Sequence, residues 1–242
     1  MTRPFSESPT SELEEILVHD VPEPCPYLPG VTARMPLRLQ FERDPERLDR
    51  LLAKGDRRVG PLMYRPQCPT CNACESLRIP LELFENTRSH RRTMNRNKDL
   101  HLVISTPPAT DHDRVNLFNE HRLARGLSKR RLGAQGYQAW LSQTWTESLE
   151  FAWYLDGKLV MVSIVDIGQK ASSAVYCYFD PAHSKRSLGT FAILKSIEWG
   201  KKKGFTYHYL GLHVAANAHL AYKSRFLPHE RLIEGTWQTF NP

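Results

Sequence analysis

The chain has 242 residues, of which 40% are hydrophobic and 24% charged, as is ordinary for folded proteins of one large or two small domains. No uncharged apolar run reaches the roughly 18 residues that a membrane helix needs. The first thirty residues contain no signal-peptide core and carry the acids Glu7, Glu12, Glu14, Glu15, Asp20 and Glu23. These features argue against a membrane-spanning or secreted protein and predict a cytoplasmic one, in which thiols stay reduced.

The net charge of +7 is concentrated in three segments. Residues 86–98 and 121–146 contain no acid, and the third basic segment runs from residue 185 to residue 203. Blocks of one sign repel one another and favour a polyanionic partner such as nucleic acid, whose binding weakens with salt. The alternative is a set of solvated basic faces. The cations are Arg88, Arg91, Arg92, Arg96 and Lys98; Arg122, Arg125, Lys129, Arg130 and Arg131; and Lys185, Arg186 and Lys201 to Lys203.

In the first half of the chain, prolines crowded between residues 22 and 29 predict an extended entry into the fold. The pattern then predicts a short helix over 42–54, a loop rich in cysteine and proline, and a strand over 77–83. Pro80 places that strand at the edge of a sheet, because proline cannot donate to a ladder. A basic helix over 89–99 and a strand over 100–105 follow.

The second half predicts two helices, a hairpin across Asp156-Gly157, a third strand, a long helix stopped by Gly204, and further strands. This order resembles the GNAT acyltransferase fold. We therefore predict an α+β protein with a GNAT-like domain, a mixed sheet with flanking helices, over 99–242. A smaller cysteine-stapled domain precedes it over 1–98. The predicted ranges are 113–125, 135–146, 151–155, 158–167, 174–179, 187–203, 205–210 and 232–239.

The turn over 180–191 joins the third strand to the long helix. Arg186 and Gly189 leave backbone N–H groups exposed at a helix start, where the macrodipole favours phosphate. In GNAT enzymes the same place binds the pyrophosphate of acetyl coenzyme A. The alternative is an ordinary turn and helix start.

Several motifs together resemble the arginyl-tRNA–protein transferase family, most closely its short bacterial branch, from about Cys25 to Trp237. The resemblance implies transfer of an amino acid from aminoacyl-tRNA to the N-terminal Asp or Glu of a protein, which marks that protein for degradation by the N-degron route. The chain lacks the long extra segments of the eukaryotic arginyl enzymes, which favours leucine over arginine as the transferred residue. The motifs are Cys25-Pro-Tyr-Leu-Pro-Gly30, Tyr64 to Cys74, Ser76 to Pro80, Arg88-Ser89 with Arg91-Arg92, Tyr178 to Pro181, Arg186 to Gly189, Leu210-Gly211 and Tyr222 to Phe226.

Four cysteines form the second chemical signal. Cys68, Cys71 and Cys74, together with Cys25, supply enough thiolates for a tetrahedral zinc site or a four-iron cluster. Repeated two-residue spacing is typical of iron–sulfur runs, and the resemblance leaves the metal open. The alternative is reduced cysteines that pack as small hydrophobes. We predict a structural or redox-tuning staple and no cofactor that the chemistry requires.

The implied reaction is aminolysis of an ester by a free α-amine, which needs alignment, removal of one proton and stabilisation of an oxyanion. We expect Arg186, Gly189 and the cluster Arg88, Ser89, Arg91 and Arg92 to hold phosphates of the tRNA acceptor end. Tyr178 or Tyr222 would stack on the terminal adenine. Arg78 would bind the acidic acceptor side chain, Lys223 the developing negative charge, and Asp180 the attacking amine. Each of these residues has a structural alternative.

Two other functions compete with this one. The first is an acetyltransferase that uses acetyl coenzyme A, which would need only the phosphate-binding turn and would leave the basic segments unexplained. The second is a metal-stapled regulator that binds nucleic acid without catalysis, although the cysteine spacing differs from the separated pairs of zinc fingers.

Overall fold

The computed structural model describes residues 15–242, so Glu7, Glu12, Glu14 and the start of the predicted first domain lie outside the described residues. The described strands are β1 Glu15–His19, β2 Glu23–Pro24, β3 Thr32–Ala33, β4 Leu37–Gln40, β5 Arg57–Val59, β6 Leu62–Tyr64, β7 Glu75–Pro80, β8 His101–Ser105, β9 Glu147–Leu155, β10 Lys158–Ile167, β11 Ala171–Phe179, β12 Tyr207–His213, β13 His229–Ile233 and β14 Thr236–Phe240.

The described helices are α1 Pro45–Ala53, α2 Arg88–Arg96, α3 His112–Ala124, α4 Ala134–Tyr137, α5 Leu188–Lys202 and α6 Ala218–Ala221. A π-helical turn over Gln138–Ser142 continues α4, and 3₁₀ turns occupy Pro181–Arg186 and Tyr222–Arg225. In this part of the chain, no helix has both the length and the apolar character needed to cross a bilayer.

Eight strands form one large sheet in the order β14-β13-β7-β12-β11-β10-β9-β8. Its neighbours pair antiparallel, except β11 and β12, which run parallel. A crossover through α5 joins these two strands, as a parallel pair requires. The prediction of an α+β protein with a large mixed sheet and helices is confirmed.

The parallel pair parts soon after it begins. Pairing of β11 with β12 runs only from Ala171 opposite Tyr207 to Ser173 opposite Tyr209. On the other side of β12, the register with β7 shifts between Tyr209 and Gly211, and Gly211 has a φ of +88° that favours glycine. The unpaired halves of β11 and β12 therefore leave a gap in the middle of the sheet.

Helices cover both faces of the sheet. On β12, Leu210 packs with Ile193 and Leu194 of α5, whereas the preceding residue, Tyr209, packs with Leu48 of α1. Successive side chains of a strand point to opposite faces, so α5 and α1 lie on opposite sides. Helix α2 lies beside α5. Helices α3 and α4 pack against Val162 and Tyr178, on the face of the sheet that α1 also covers.

A small antiparallel sheet, in the order β1-β4-β6-β5, precedes the large one. Its strand β5 contacts β11, and two arginines bridge the sheets: Arg57 donates to the backbone oxygen of Ala174, and Arg58 pairs with Asp166 at 2.6 Å. Strand β7 and helix α2 also belong to the large sheet and its covering layer. These contacts cross the predicted boundary between 1–98 and 99–242.

Most predicted elements appear within a few residues of their expected bounds, including the Asp156-Gly157 hairpin, whose turn residues have φ of 48° and 79°. Two predictions are wrong. Strand β7 lies between β12 and β13 rather than at an edge, and Pro80 is tolerated there because β13 pairs only with Leu77 and Arg78 of β7. The single strand predicted over 232–239 is a hairpin of β13 and β14 that turns at Glu234 and Gly235.

Candidate active site

The gap between β11 and β12 opens into a cavity of about 1680 Å³. Small-molecule pockets usually measure about 300–1,000 Å³, so this cavity has room for parts of two substrates. Its walls come from both faces of the sheet, namely the start of α5, the C-terminal end of α3, strand β5 and the segment over 217–223.

The start of α5 forms one wall. Ser187 has a left-handed φ of 57° and makes no side-chain cap, and Ser187, Leu188, Gly189 and Thr190 line the cavity. The first N–H groups of a helix have no partner within the helix, and the macrodipole adds partial positive charge. This wall therefore suits an anion, as the sequence predicted for Gly189.

Two cations lie on the opposite wall, at Gly211. Arg57 is 7% exposed and donates to Ser173 Oγ at 3.3 Å and to the backbone oxygen of Ala174 at 2.8 Å. Lys223 is partly buried and donates to the backbone oxygen of Leu212 at 2.8 Å. A Cβ on Gly211 would lie 2.8 Å from Arg57 Nη2 and 3.3 Å from Lys223 Nζ, so the glycine lets both cations approach β12.

Neither cation has a carboxylate within ion-pair distance among residues 15–242. Burial lowers the pKa of Arg57, and burial together with the Arg57 guanidinium lowers the pKa of Lys223 to about 7. Burial is the shared cause, because charge is costly away from water, and for Lys223 the like charge of Arg57 adds to it.

Two histidines add neutral polar groups to the walls. His208 bonds Ser172 Oγ through Nδ1 at 2.8 Å, and its buried Nε2 has no hydrogen-bond partner in the part of the chain that the structure describes. Burial, with Arg57 nearby, lowers the pKa of His208 to about 3. His121 bonds the backbone of Phe179 through Nδ1, and burial lowers its pKa to about 4. Both rings are therefore uncharged near neutral pH.

Of the four residues predicted to be catalytic, Tyr222 and Lys223 line the cavity. Burial raises the pKa of Tyr222 to about 12, so this hydroxyl stays protonated. Tyr178 lies in the core with no exposed surface, and its hydroxyl bonds that of Tyr137 at 2.6 Å. Asp180 accepts from the Ala182 N–H at 2.9 Å as the cap of the turn before α5, and it is not among the lining residues.

Arg78 and Arg186 also lie outside the cavity. Arg78 donates to Glu230 at 2.6 Å and is held between the rings of Tyr207 and Trp237, at 3.8 and 4.0 Å from their centroids. Arg186 donates through both terminal nitrogens to Asp99 at 2.8 Å, which fastens the turn before α5 to the end of α2. Both guanidinium groups are thus already occupied by protein carboxylates.

The predicted basic surface lies on α2. Arg88, Ser89, Arg91 and Arg92 are exposed on this helix. Helix α2 contacts α5, and Arg96 donates to the backbone oxygen of Lys185 at 2.7 Å. The exposed cations of α2 therefore lie next to the turn that leads into the cavity wall.

Cys25, Cys68 and Cys71 lie near enough to Cys74 to act on its thiol electrostatically, but the four are not gathered into a ligand sphere. Burial, with Cys25, Cys68 and Cys71 nearby, raises the pKa of Cys74 to about 12. No three metal-binding side chains in residues 15–242 are close enough together to hold an ion. Four thiols remain a suitable donor set for zinc or an iron–sulfur cluster, and the metal stays a prediction.

Sequence reasoning missed Arg57 and His208. Each lies in a short segment without a motif, and nothing local distinguishes Arg57 from its neighbour Arg58, which pairs with Asp166. The available signal was the basic pair Arg57-Arg58 next to the acidic Asp56. This pattern alone does not show which of the two arginines pairs with a carboxylate.

The chain matches two family models, "Arginine-tRNA-protein transferase, N terminus" over residues 23–92 and "Arginine-tRNA-protein transferase, C terminus" over 113–233. It is 40% identical over 194 residues to an aspartate/glutamate leucyltransferase of Aeromonas salmonicida, covering 80% of this chain and 81% of that one. It is 36% identical over 231 residues to one of Stenotrophomonas maltophilia, covering 90% of each.

Among solved structures, the chain is similar to L-PGS from Bacillus licheniformis, with a TM-score of 0.41, 17% identity and coverage of 58% of this chain and 45% of that one. The two family models together span most of the chain, and the similarity covers 81% and 90% of the two relatives. The chain therefore belongs to the arginine-tRNA–protein transferase family.

Proposed function

We propose that the protein transfers leucine from leucyl-tRNA to the N-terminal Asp or Glu of other proteins, as the first step of their degradation by the N-degron route. The observation that carries this proposal is the extended similarity to relatives named aspartate/glutamate leucyltransferase. Both substrates of this reaction are cytoplasmic, so we expect the protein to act in the cytoplasm.

The fold supports an acyltransferase. A single parallel pair that parts beside a helix start gives a GNAT-like arrangement, in which an acyl donor lies between the two strands. The N–H groups at Gly189 would hold a phosphate of the tRNA acceptor end, and exposed Arg88, Arg91 and Arg92 would hold the next phosphates. Apolar Val175, Leu210 and Ile193 of the cavity wall would receive the leucyl side chain.

The terminal adenine requires an aromatic platform. Of the two tyrosines that the sequence suggested, only Tyr222 lines the cavity, so we assign stacking to Tyr222. Tyr178 is buried and serves the core.

In the reaction, the α-amine attacks the ester carbonyl carbon, an amide bond forms and the ribose oxygen leaves with the proton that the amine loses. An α-amine has an ordinary pKa of about 7.7–8.0, so a substantial fraction is already neutral and nucleophilic. The cavity needs mainly to align the two groups and exclude water. The unpartnered Nε2 of neutral His208 would hydrogen-bond one of them without adding charge.

We also propose that Cys25, Cys68, Cys71 and Cys74 bind a zinc ion or an iron–sulfur cluster that holds the N-terminal loops together. The metal would supply structural cross-linking and no step of the transfer. Metal analysis of the purified protein and its visible absorbance would distinguish zinc, iron and a metal-free protein.

The transfer assay offers leucyl-tRNA and arginyl-tRNA in parallel to peptides that begin with Asp, Glu, Arg or Met. We expect leucine on the Asp and Glu peptides only. Labelling with arginine alone would correct the donor, and labelling of none would overturn the proposal. Because a helix start also suits the pyrophosphate of coenzyme A, a parallel arm with acetyl coenzyme A, with and without RNase, tests the acetyltransferase alternative.

A further inference from the structure

The cations at Gly211 have an unusual electrostatic environment. Arg57 is almost fully buried, and within residues 15–242 it donates hydrogen bonds only to the neutral Ser173 hydroxyl and the Ala174 backbone oxygen. Among the described residues, the partner of Lys223 is the Leu212 backbone oxygen. A charge taken out of water without a counter-ion is costly, and two like charges side by side increase that cost. The Asp166 carboxylate also acts on Arg57 electrostatically, but it is ion-paired with Arg58 at 2.6 Å, so the folded protein holds net positive charge on this wall of its cavity.

An anion that enters the cavity would remove this cost. The start of α5 offers a second anion site on the other face of the sheet, and that wall continues into the exposed cations of α2. Phosphates of a long polyanion belong on the α5 side, since that side leads to a basic surface. Arg57 comes from β5 of the small sheet, so the Arg57–Lys223 site lies on the cavity wall opposite the start of α5, which leaves it for the other reactant.

The acceptor supplies an anion of the right kind. The side chain of an N-terminal Asp or Glu starts from the carbon atom that carries the reacting amine, so its carboxylate must be bound next to the reaction centre. A guanidinium fork matches a carboxylate through two parallel hydrogen bonds, and a mobile ammonium beside it accommodates one additional methylene.

We propose that Arg57 and Lys223 together form the subsite that binds the side-chain carboxylate of the acceptor's N-terminal Asp or Glu. This assignment depends on the proposed function and moves the carboxylate away from Arg78, whose fork is occupied by Glu230. It also gives Lys223 a role in acceptor recognition instead of oxyanion stabilisation.

The subsite explains selectivity against neutral residues. An N-terminal Asn or Gln would have nearly the same shape but would leave both cations buried and unpaired. Sites built to bind a polar or charged group reject analogues that lack it by large factors for this reason. Gly211 is part of the subsite, because a Cβ there would lie 2.8 Å from Arg57 Nη2.

The test uses binding of short peptides to the tRNA-free full-length protein, measured by calorimetry. The peptides begin with Asp, Glu, Asn or Gln and are otherwise identical. We expect Arg57→Met and Lys223→Met each to weaken binding of the Asp and Glu peptides by roughly 10- to 100-fold and to leave the Asn and Gln peptides unchanged. Arg57→Lys should recover part of the loss, because it restores the charge without the fork. The exposed Arg43→Met is the matched control and should bind all four peptides as the unmodified protein does.

Losses of equal size for all four peptides, or no preference for acidic peptides in the unmodified protein, would overturn the assignment. Circular dichroism of each variant identifies failure to fold. The transfer assay separates the two proposals: transfer to Asp and Glu peptides without a charge-selective defect in the variants would refute the subsite and retain the function. Charge-selective binding without any transfer would retain the subsite and refute the function.

Discussion

Two buried arginines next to the large sheet, one at the start of α3 and one on the cavity wall, have opposite surroundings. Arg114 donates to fully buried Glu150 at 2.8 and 2.5 Å, and to Asp111 at 2.5 Å. Arg57 is as well buried, but within residues 15–242 it donates hydrogen bonds only to neutral oxygen atoms and lies near another cation, Lys223.

The comparison separates a structural charge from a functional one. In the α3 cluster, which consists of Arg114, Glu150 and Asp111, the arginine is neutralised by carboxylates of the protein itself. Arg114 therefore has no charge left to offer to a ligand. The cavity wall leaves its charges open, and an open buried charge is what a binding site for the opposite charge requires. Burial of an arginine by itself indicates neither role; the presence of its counter-ion decides.

The largest expected effect on stability comes from removing the arginine of the α3 cluster. Arg114→Met should lower the free energy of unfolding by about 3–5 kcal/mol, because it leaves the Glu150 carboxylate buried and unpaired. The matched change Arg57→Met should cost less than about 1 kcal/mol or raise stability, because it removes an uncompensated charge. Urea denaturation at neutral pH measures both. A loss for Arg57→Met as large as that for Arg114→Met would show that Arg57 is structural.

The next effect is a pH dependence of stability. The folded-state pKa of Lys223 is about 7, below its ordinary value of 10.5. Between these values the unfolded chain binds more protons than the folded one, so stability should rise with pH, by at most ~1.4 kcal/mol per unit. Urea denaturation between about pH 7 and pH 9 measures the slope, and Lys223→Met should remove this contribution. An identical slope in the variant would mean that Lys223 keeps an ordinary pKa.

The smallest effect on stability concerns a third kind of arginine, which is exposed to solvent. Arg91→Ala combined with Arg92→Ala should leave unfolding nearly unchanged, since exposed charges contribute little to stability. It should weaken binding of tRNA and reduce the slope of log affinity against log salt concentration by about 1–2. Filter binding over a range of salt concentrations measures this slope, with Arg43→Ala as the control. An unchanged slope would remove α2 from the tRNA surface.

Local chemistry made much of the fold predictable. The Asp156-Gly157 turn and the helix that Gly204 stops depend on residues that accept positive φ, and all of these interactions lie within a few residues. The position of β7 was not predictable in this way, because its neighbours β12 and β13 come from the far end of the chain. Pro80 suggested an edge only because its effect was considered without those partners.

The candidate site also combines features that nearby residues predict with features that depend on distant segments. The motifs of the chain identified its family and pointed to Gly189, Tyr222 and Lys223, which line the cavity, and to the cysteine quartet. They did not show that Arg78 pairs with Glu230, 152 residues away, or that Arg57 has no carboxylate partner within residues 15–242.

The amino-acid sequence by itself thus determined the family, the local elements and the distribution of charge along the chain, because each depends on residue types at short spacing. The tertiary structure decided which cations are neutralised, which tyrosine is buried and where the sheet opens. Those properties depend on hydrogen-bond and ion-pair partners that distant segments bring together, and burial makes the presence or absence of each partner energetically decisive.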